Sequence, residues 1–333
     1  MKRYLALVLL SIPAVFVSAA ADQPANVTVT VDKGRIDFRC GAELAASYIT
    51  DPGQPKPFFW PLNTPGGVVV TRGWPVEKAE PGEMTDHVHH KSAWFCHGDV
   101  IPEGMELKQK IKGVEGVDFW SEARGHGVIV CTKVETPEQN GAHARVVTSD
   151  EWRTADGEKV LDEMRTLHLI NFGDAWLFVL ESDLHASVVP VTFGDTKEGS
   201  FGIRVRKSIT EQKGKGILTN AEGKSRELAI WGRVSEWCDY SGPVGEAVAG
   251  IALFADPTNP VPTCWHSRAY GLMAANPFGR GKSGFPAMLG RADVVRIAKD
   301  GHLKLRYGML LHHGDVKDGK VAEYYHRFVQ LKQ

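Results

Sequence analysis

"NVTVTVDKGRIDF", residues 26–38, alternates apolar and polar side chains at nearly every step, with Gly34 marking a break. A period of two places Val27, Val29 and Val31 on one face, which is the pattern of a strand with one side buried. Comparable runs recur to the C-terminus, bounded by Gly, Pro, Asn and Asp: "GGVVVTRG" (66–73), "HGVIVCTKVETP" (126–137), "ARVVTSDEWR" (144–153), "AWLFVLESDLHA" (175–186), "AGIALFAD" (249–256) and "LKLRYGMLLHHGD" (303–315). No helical stripe is sustained until the tail, "VAEYYHRFVQLKQ" (321–333), which is predicted to close the chain as a helix. The reading is all-β: a large antiparallel β-sandwich with few short helices. No period of 20–50 residues recurs, which argues against a propeller or solenoid.

The first residues, "MKRYLALVLLSIPAVFVSAAADQ", combine a basic start, an apolar run and small residues, as a secretory signal peptide does. Residues 1–21 are therefore expected to be a cleaved signal and 22–333 one sandwich domain, periplasmic or secreted, with no integral membrane segment after cleavage. Formal charge is −1 for the whole chain, without long runs of one sign, so nucleic acid is not an expected partner. The five cysteines, at 40, 96, 131, 238 and 264, lack CxxC spacing, and an odd, scattered set argues against a disulfide framework.

Three segments concentrate chemistry. In "DHVHHKSAWFCHGDV" (86–100), His87, His89, His90 and His97 fall within eleven residues, and "HGDV" returns at His313. On an extended strand His87 and His89 share a face and His90 takes the other. The first pair, with His97, His313, Asp99 or Asp315, offers ligands for a divalent metal, so a metal cofactor is left open with candidates His87, His89, His97 and His313. In "VPVTFGDTKEGSFGIRV" (189–205) a glycine-flanked turn presents Asp195, Lys197 and Glu198, a possible acid–base pair, and Arg204 follows in the next strand. In "PTCWHSRAYGLMAANPFG" (262–279), Trp265, His266, Arg268, Tyr270 and Asn276 have the composition of a sugar-binding wall, to which Trp94 adds.

Taken together, "DHVHHKSAWFCHGDV", "DFWSE" (118–122), "GDTKEGSFGIRV", "AGIALFADPTNPVPTCWHSRAYGLMAANPFG" and "YGMLLHHGDV" resemble a family of soluble bacterial proteins labelled methane oxygenase (PmoA-type). The likeness runs from about Asp86 to His326. It implies a fold similar to the galactose mutarotase-like super-sandwich, with a sugar site on a concave face and histidine–carboxylate chemistry from His89 or His90 with Glu198.

The leading expectation is an exported carbohydrate-active enzyme performing hydrolysis, elimination or epimerisation on a sugar or glycoside. His89, His90, Lys197 and Glu198 would act in catalysis. Trp94, His97, Asp195, Arg204, Trp265, His266, Asn276 and His313 would bind a carbohydrate or other small-molecule ligand. A metal-dependent enzyme such as an oxygenase, as the family label suggests, and a non-catalytic glycan-binding module are the alternatives.

Overall fold

A computed structural model of the chain describes residues 24–331; the expected signal segment lies outside the described residues. The predicted alternation is realised as two large antiparallel sheets. The first runs, in spatial order, through Val27–Asp32, Arg35–Cys40, Glu43–Ile49, Phe58–Leu62, Ala93–His97, Gly199–Arg204, Leu272–Asn276 and Cys264–Arg268. The second runs through Ile217–Asn220, Trp237–Val244, Ala247–Ala255, His302–His313, Ala175–His185, Lys159–Asn171, His143–Arg153 and Val128–Val134, with Glu138–Asn140 paired to its His143–Arg153 strand. A small sheet of Val295–Ile297, Val191–Phe193 and Val100–Pro102 ties loops together at one end. Among the described residues no helix is long and apolar enough to cross a membrane.

The sheets pack face to face, and aromatic rings lock them. Phe38 and Phe59 of the first sheet meet Phe178 of the second at centroid distances of 5.3 and 5.4 Å. Phe201 approaches Tyr307 at 6.1 Å and Phe95 approaches Trp152 at 6.4 Å. Large rings suit this layer because each removes much apolar surface from water and holds edge-to-face geometry. The tail forms a helix, Val321–Gln330, on the outer side of the second sheet, where Tyr324, Tyr325 and Phe328 cover Leu177, Val179, Phe254 and Leu310.

One polar network sits inside this core. Arg165 donates to Glu163 from Nε at 2.9 Å and from Nη2 at 2.6 Å, and its Nη1 donates to the Tyr48 hydroxyl on the opposite sheet. Trp152 Nε1 and Ser182 Oγ complete the Glu163 carboxylate at 2.8 and 2.6 Å. Both charged side chains have no exposed surface. The guanidinium also lies 5.3 Å from the Phe95 ring centroid. An ion pair buried this deeply persists because nearly every donor and acceptor is used.

Two expectations change. "GGVVVTRG" forms isolated bridges, Asn63 with Val69 and Thr71 with Val205, rather than a ladder strand, because the segment crosses strand ends and spends its N–H groups there, as Arg72 N does on Arg204 O. The first histidines do not lie on a strand either. Pairing begins only at Ala93, and His90 N closes a turn on His87 O at 2.9 Å.

Two tests follow from the buried charges. Arg165→Met alone should lower stability by about 3–5 kcal/mol in urea unfolding, since it strands the Glu163 carboxylate, whereas Arg165→Met with Glu163→Leu should recover most of the loss. His312, buried, pairs through Nε2 with Asp239 Oδ1 at 2.8 Å. Burial works to lower its pKa, but the Asp239 charge and hydrogen bond raise it above the ordinary 6.5. Its stabilisation is therefore full below pH 6.5 and lost as pH rises through the raised folded value; the wild-type excess over His312→Gln should shrink across that window.

Candidate functional site

The outward face of the first sheet is set by alternation. Phe95 and Phe201 point inward at Tyr307, so their neighbours Trp94 and Gly202 point outward. Trp94 pairs with Gly202, Gly202 with Ala274, and Ala274 with His266, giving one outward row across four strands. Two small residues between large rings make a floor. A Cβ on Gly202 would fall 2.8 Å from the Trp94 ring and 2.9 Å from Trp120, so only glycine admits both indoles.

On this floor stands a column of rings. Trp94, His90, His87 and Tyr270 stack in that order, with centroids 5.0, 4.7 and 5.3 Å apart and interplanar angles of 18°, 6° and 14°. His89 packs edge-on against His87 and His90 at 5.6 and 4.5 Å. The turn replaces the two-faced strand arrangement and gathers all three imidazoles on one side.

Asp86 is the anchor. Its Oδ1 accepts from Arg72 Nη1 at 2.9 Å and Arg204 Nη2 at 2.8 Å, and its Oδ2 accepts from His87 Nδ1 at 2.7 Å. Burial works to raise the Asp86 carboxyl, but the Arg204 charge, the His87 bond and Arg72 hold it below the usual range, so it stays ionised. An ionised carboxylate only accepts; His87 therefore carries its proton on Nδ1 and, when neutral, presents the Nε2 lone pair. Arg204 Nη1 lies 3.2 Å from His90 Nδ1 and can only donate, which assigns the His90 proton to Nε2. Both Nδ1 atoms face the Arg204–Asp86 pair, so both Nε2 edges face away from it.

Exposure separates the rings. His87 is 40% exposed, while His90 is 1% exposed. Burial, with the charges of neighbouring cations and rings, pushes His89 down to about 3 and His90 well below its ordinary value; both are neutral at any physiological pH. Sequence reasoning put acid–base work on His89 and His90. The structure places His87 with its edge open and a carboxylate behind it, and makes His90 a prop beneath.

Glu198 arrives from the other side. Its carbonyl accepts from Gly98 N at 2.7 Å, and a Cβ on Gly98 would lie 2.8 Å from the Glu198 Cβ, so the first "HGDV" glycine is what lets this turn settle. Half-buried, the Glu198 carboxyl is raised by desolvation, with Lys197 opposing and Asp118 adding. Glu198 also acts on the Tyr270 phenol, the ring on which His87 stacks. His266, pushed down to about 3 by burial and then by Arg268 and Lys197, shares the outward face. His87 thus stacks on Tyr270, and Glu198, His266 and Arg268 lie near enough to feel one another's charge or that of Tyr270.

Other sequence candidates serve as supports or lie elsewhere. Asn276 donates to the Thr196 and Lys197 carbonyls at 3.0 Å each, fixing the Glu198 turn. Asp195 accepts from Arg280 N, Lys282 N and Ser283 N, leaving it a loop clamp and not a ligand contact. Arg204 is spent on Asp86 and His90, while Lys197 is exposed at the rim. Trp94 is 1% exposed beneath the column, and Trp265 points into the core at 0% with Nε1 on the Ser235 carbonyl; neither is a wall for a ligand. His97 packs between Phe193 and Phe278, its Nε2 on Gly194 O. His313 lies beside Gly66 in a cavity with Asp174 and Lys320. The four metal candidates therefore do not share one centre, and among the described residues no group of three His, Cys, Asp or Glu is arranged around an ion. Asp86 and Tyr270 were visible as letters, but only the fold shows what they hold.

The chain belongs to a family of unknown function, DUF6807, whose model matches residues 35–326. The methane oxygenase label suggested by the motifs is not the description this family carries. No curated protein matches the chain. Among solved structures it is similar to the alpha-galactosidase from Lactobacillus brevis, at 9% identity and TM-score 0.45, covering 92% of this chain and 43% of that one. It is also similar to a Glycoside Hydrolase Family 97 enzyme from Pseudoalteromonas sp. strain K8, seen in one structure in complex with panose, at 9% identity and TM-score 0.36, covering 87% and 34%. The chain thus spans less than half the length of either.

The protonation pattern can be checked directly. Imidazole resonances of His89, His90 and His266 should stay flat between pH 5 and 8 in ¹⁵N–¹H spectra; a midpoint near 6.5 for any of them would contradict the packing described.

Proposed function

We propose that the protein is an exported enzyme that moves protons on a sugar or sugar derivative bound between His87 and Glu198. The observation that carries this is the Asp86–His87 pair, a histidine oriented by an ionised carboxylate and stacked on Tyr270, whose phenol also feels Glu198, a carboxyl that burial shifts toward the protonated form. His87 Nε2 is the base and Glu198 the acid. Tyr270, Arg268 and Lys197 supply hydrogen bonds around them, and groups of both charges without a broad apolar wall suit a polyhydroxylated ligand.

Within the reactions open to such a pair, elimination or epimerisation fits better than glycoside hydrolysis. Hydrolysis ordinarily uses two carboxylates flanking the bond. The carboxylate nearest in influence to Glu198 is Asp118, whose oxygens are taken by Trp120 N, Ser121 N and Ser121 Oγ at 2.7, 3.0 and 2.6 Å. A histidine base with one carboxylic acid remains.

The test is incubation of the protein with a panel of neutral and acidic oligosaccharides in D₂O, following products and carbon-bound deuterium by NMR and mass spectrometry. Deuterium incorporation or bond cleavage should appear and fall by roughly 10²–10⁴ in both His87→Ala and Glu198→Gln. Turnover kept within tenfold in both variants would remove this assignment.

A further inference from the structure

The second sheet carries a different surface on its outward side. The C-terminal helix covers the end built from Leu177, Val179 and Leu310, and beyond it the face is more open. There, register places Met164 beside Asp183 and Asp183 beside Lys304, with Thr166 beside Glu181 and Glu181 beside Arg306 in the next outward row. A cavity of about 640 Å³ opens over these two rows, and one of about 320 Å³ adjoins it, Met164 and Asp183 lining both. Volumes of this order are those of sites for small organic ligands.

The floor is built, not incidental. Arg306 is 5% exposed, with Nε on Glu181 Oε1 at 3.2 Å and Nη1 on Asp256. Asn259 clamps its backbone on both sides, accepting from Arg306 N at 2.7 Å and donating to Arg306 O at 3.0 Å. Across the rows, Lys304 stands 3.7 Å from Asp183. Lys304 is thus matched by one carboxylate and Arg306 by two, so the surface offers paired donors and acceptors with acid in slight excess and no free cation to draw an anion. Met164, 52% exposed, and Val329, 38% exposed, add small apolar faces at the margin. Alternating donors and acceptors beside modest apolar contacts match a chain of hydroxyls and C–H faces.

We propose that this face is a second binding site, separate from the His87–Glu198 site, for a neutral oligosaccharide. It stands on the opposite sheet and rests on none of the groups assigned to proton transfer. A ligand lying across Thr166, Glu181 and Lys304 would be held without being acted on, since the carboxylates there are paired with cations.

The experiment is a printed array of neutral oligosaccharides probed with the labelled protein, followed by titration calorimetry on the best binder. Binding should be weakened at least tenfold by Thr166→Arg, which fills the cavity, and by Lys304→Glu, while Lys33→Glu, on an exposed turn of the first sheet, binds as wild type. Lys304 is solvent-facing, so that variant keeps the test alive should Thr166→Arg fail to fold, as judged by its circular dichroism melt. No binding anywhere on the array, or binding lost in His87→Ala and retained in Lys304→Glu, overturns the proposal. The D₂O experiment reads turnover and its loss in His87→Ala and Glu198→Gln, so the two proposals can fail separately.

Discussion

The Arg165 guanidinium, buried between the sheets, is the contact on which the rest is organised. It joins Glu163 on its own strand to Tyr48 on the facing sheet, and it lies against Phe95. A charge in that position has few places it can go, because any shift would leave an ion without partners in a low-dielectric interior. It therefore fixes the spacing and register of the two layers more sharply than apolar rings alone would. Phe95 is the inward neighbour of Trp94, so the same constraint reaches the foot of the histidine column.

Above the sheet a second charged group plays the equivalent part. Asp86 gathers Arg72, Arg204 and His87, and Arg204 in turn reaches His90, so four side chains from three stretches of chain are oriented by one carboxylate. Stacking then sets the ring spacing. The result is selective: of three histidines in one turn, two are held neutral and enclosed, and one keeps an open edge. Glycines at 98 and 202 are the passive side of this arrangement, giving Glu198 and the two indoles room that a methyl group would occupy.

Much of the architecture was legible in the sequence, because period-two alternation is local and the strands that show it, such as Val27–Asp32 and His143–Arg153, are half-buried. The segment 66–73 misled because three valines in a row indicate burial without saying whether a partner strand is available. At the site, the histidine turn and the Lys197–Glu198 turn were found from residue types alone, but roles were not. Trp265 and Asn276 look like ligand contacts by composition, yet which face a strand residue takes and whether a neighbouring carbonyl already claims it are set by tertiary pairing. The two "HGDV" copies show the same limit: the first supports Glu198, and the second ends a strand near Gly66, although the letters are identical.

The order of strands in the second sheet also has a bearing on time. Its interior strand His302–His313 lies between Ala247–Ala255 and Ala175–His185, and the helix that covers their outer side follows it. Both follow all the other strands of this sheet in chain order. Until they arrive, two long apolar strands face each other across a gap, each with an unpaired edge. Folding of this layer must therefore wait until residues 302–313 have been made, and the half-built sheet is the species that a chaperone would need to shield.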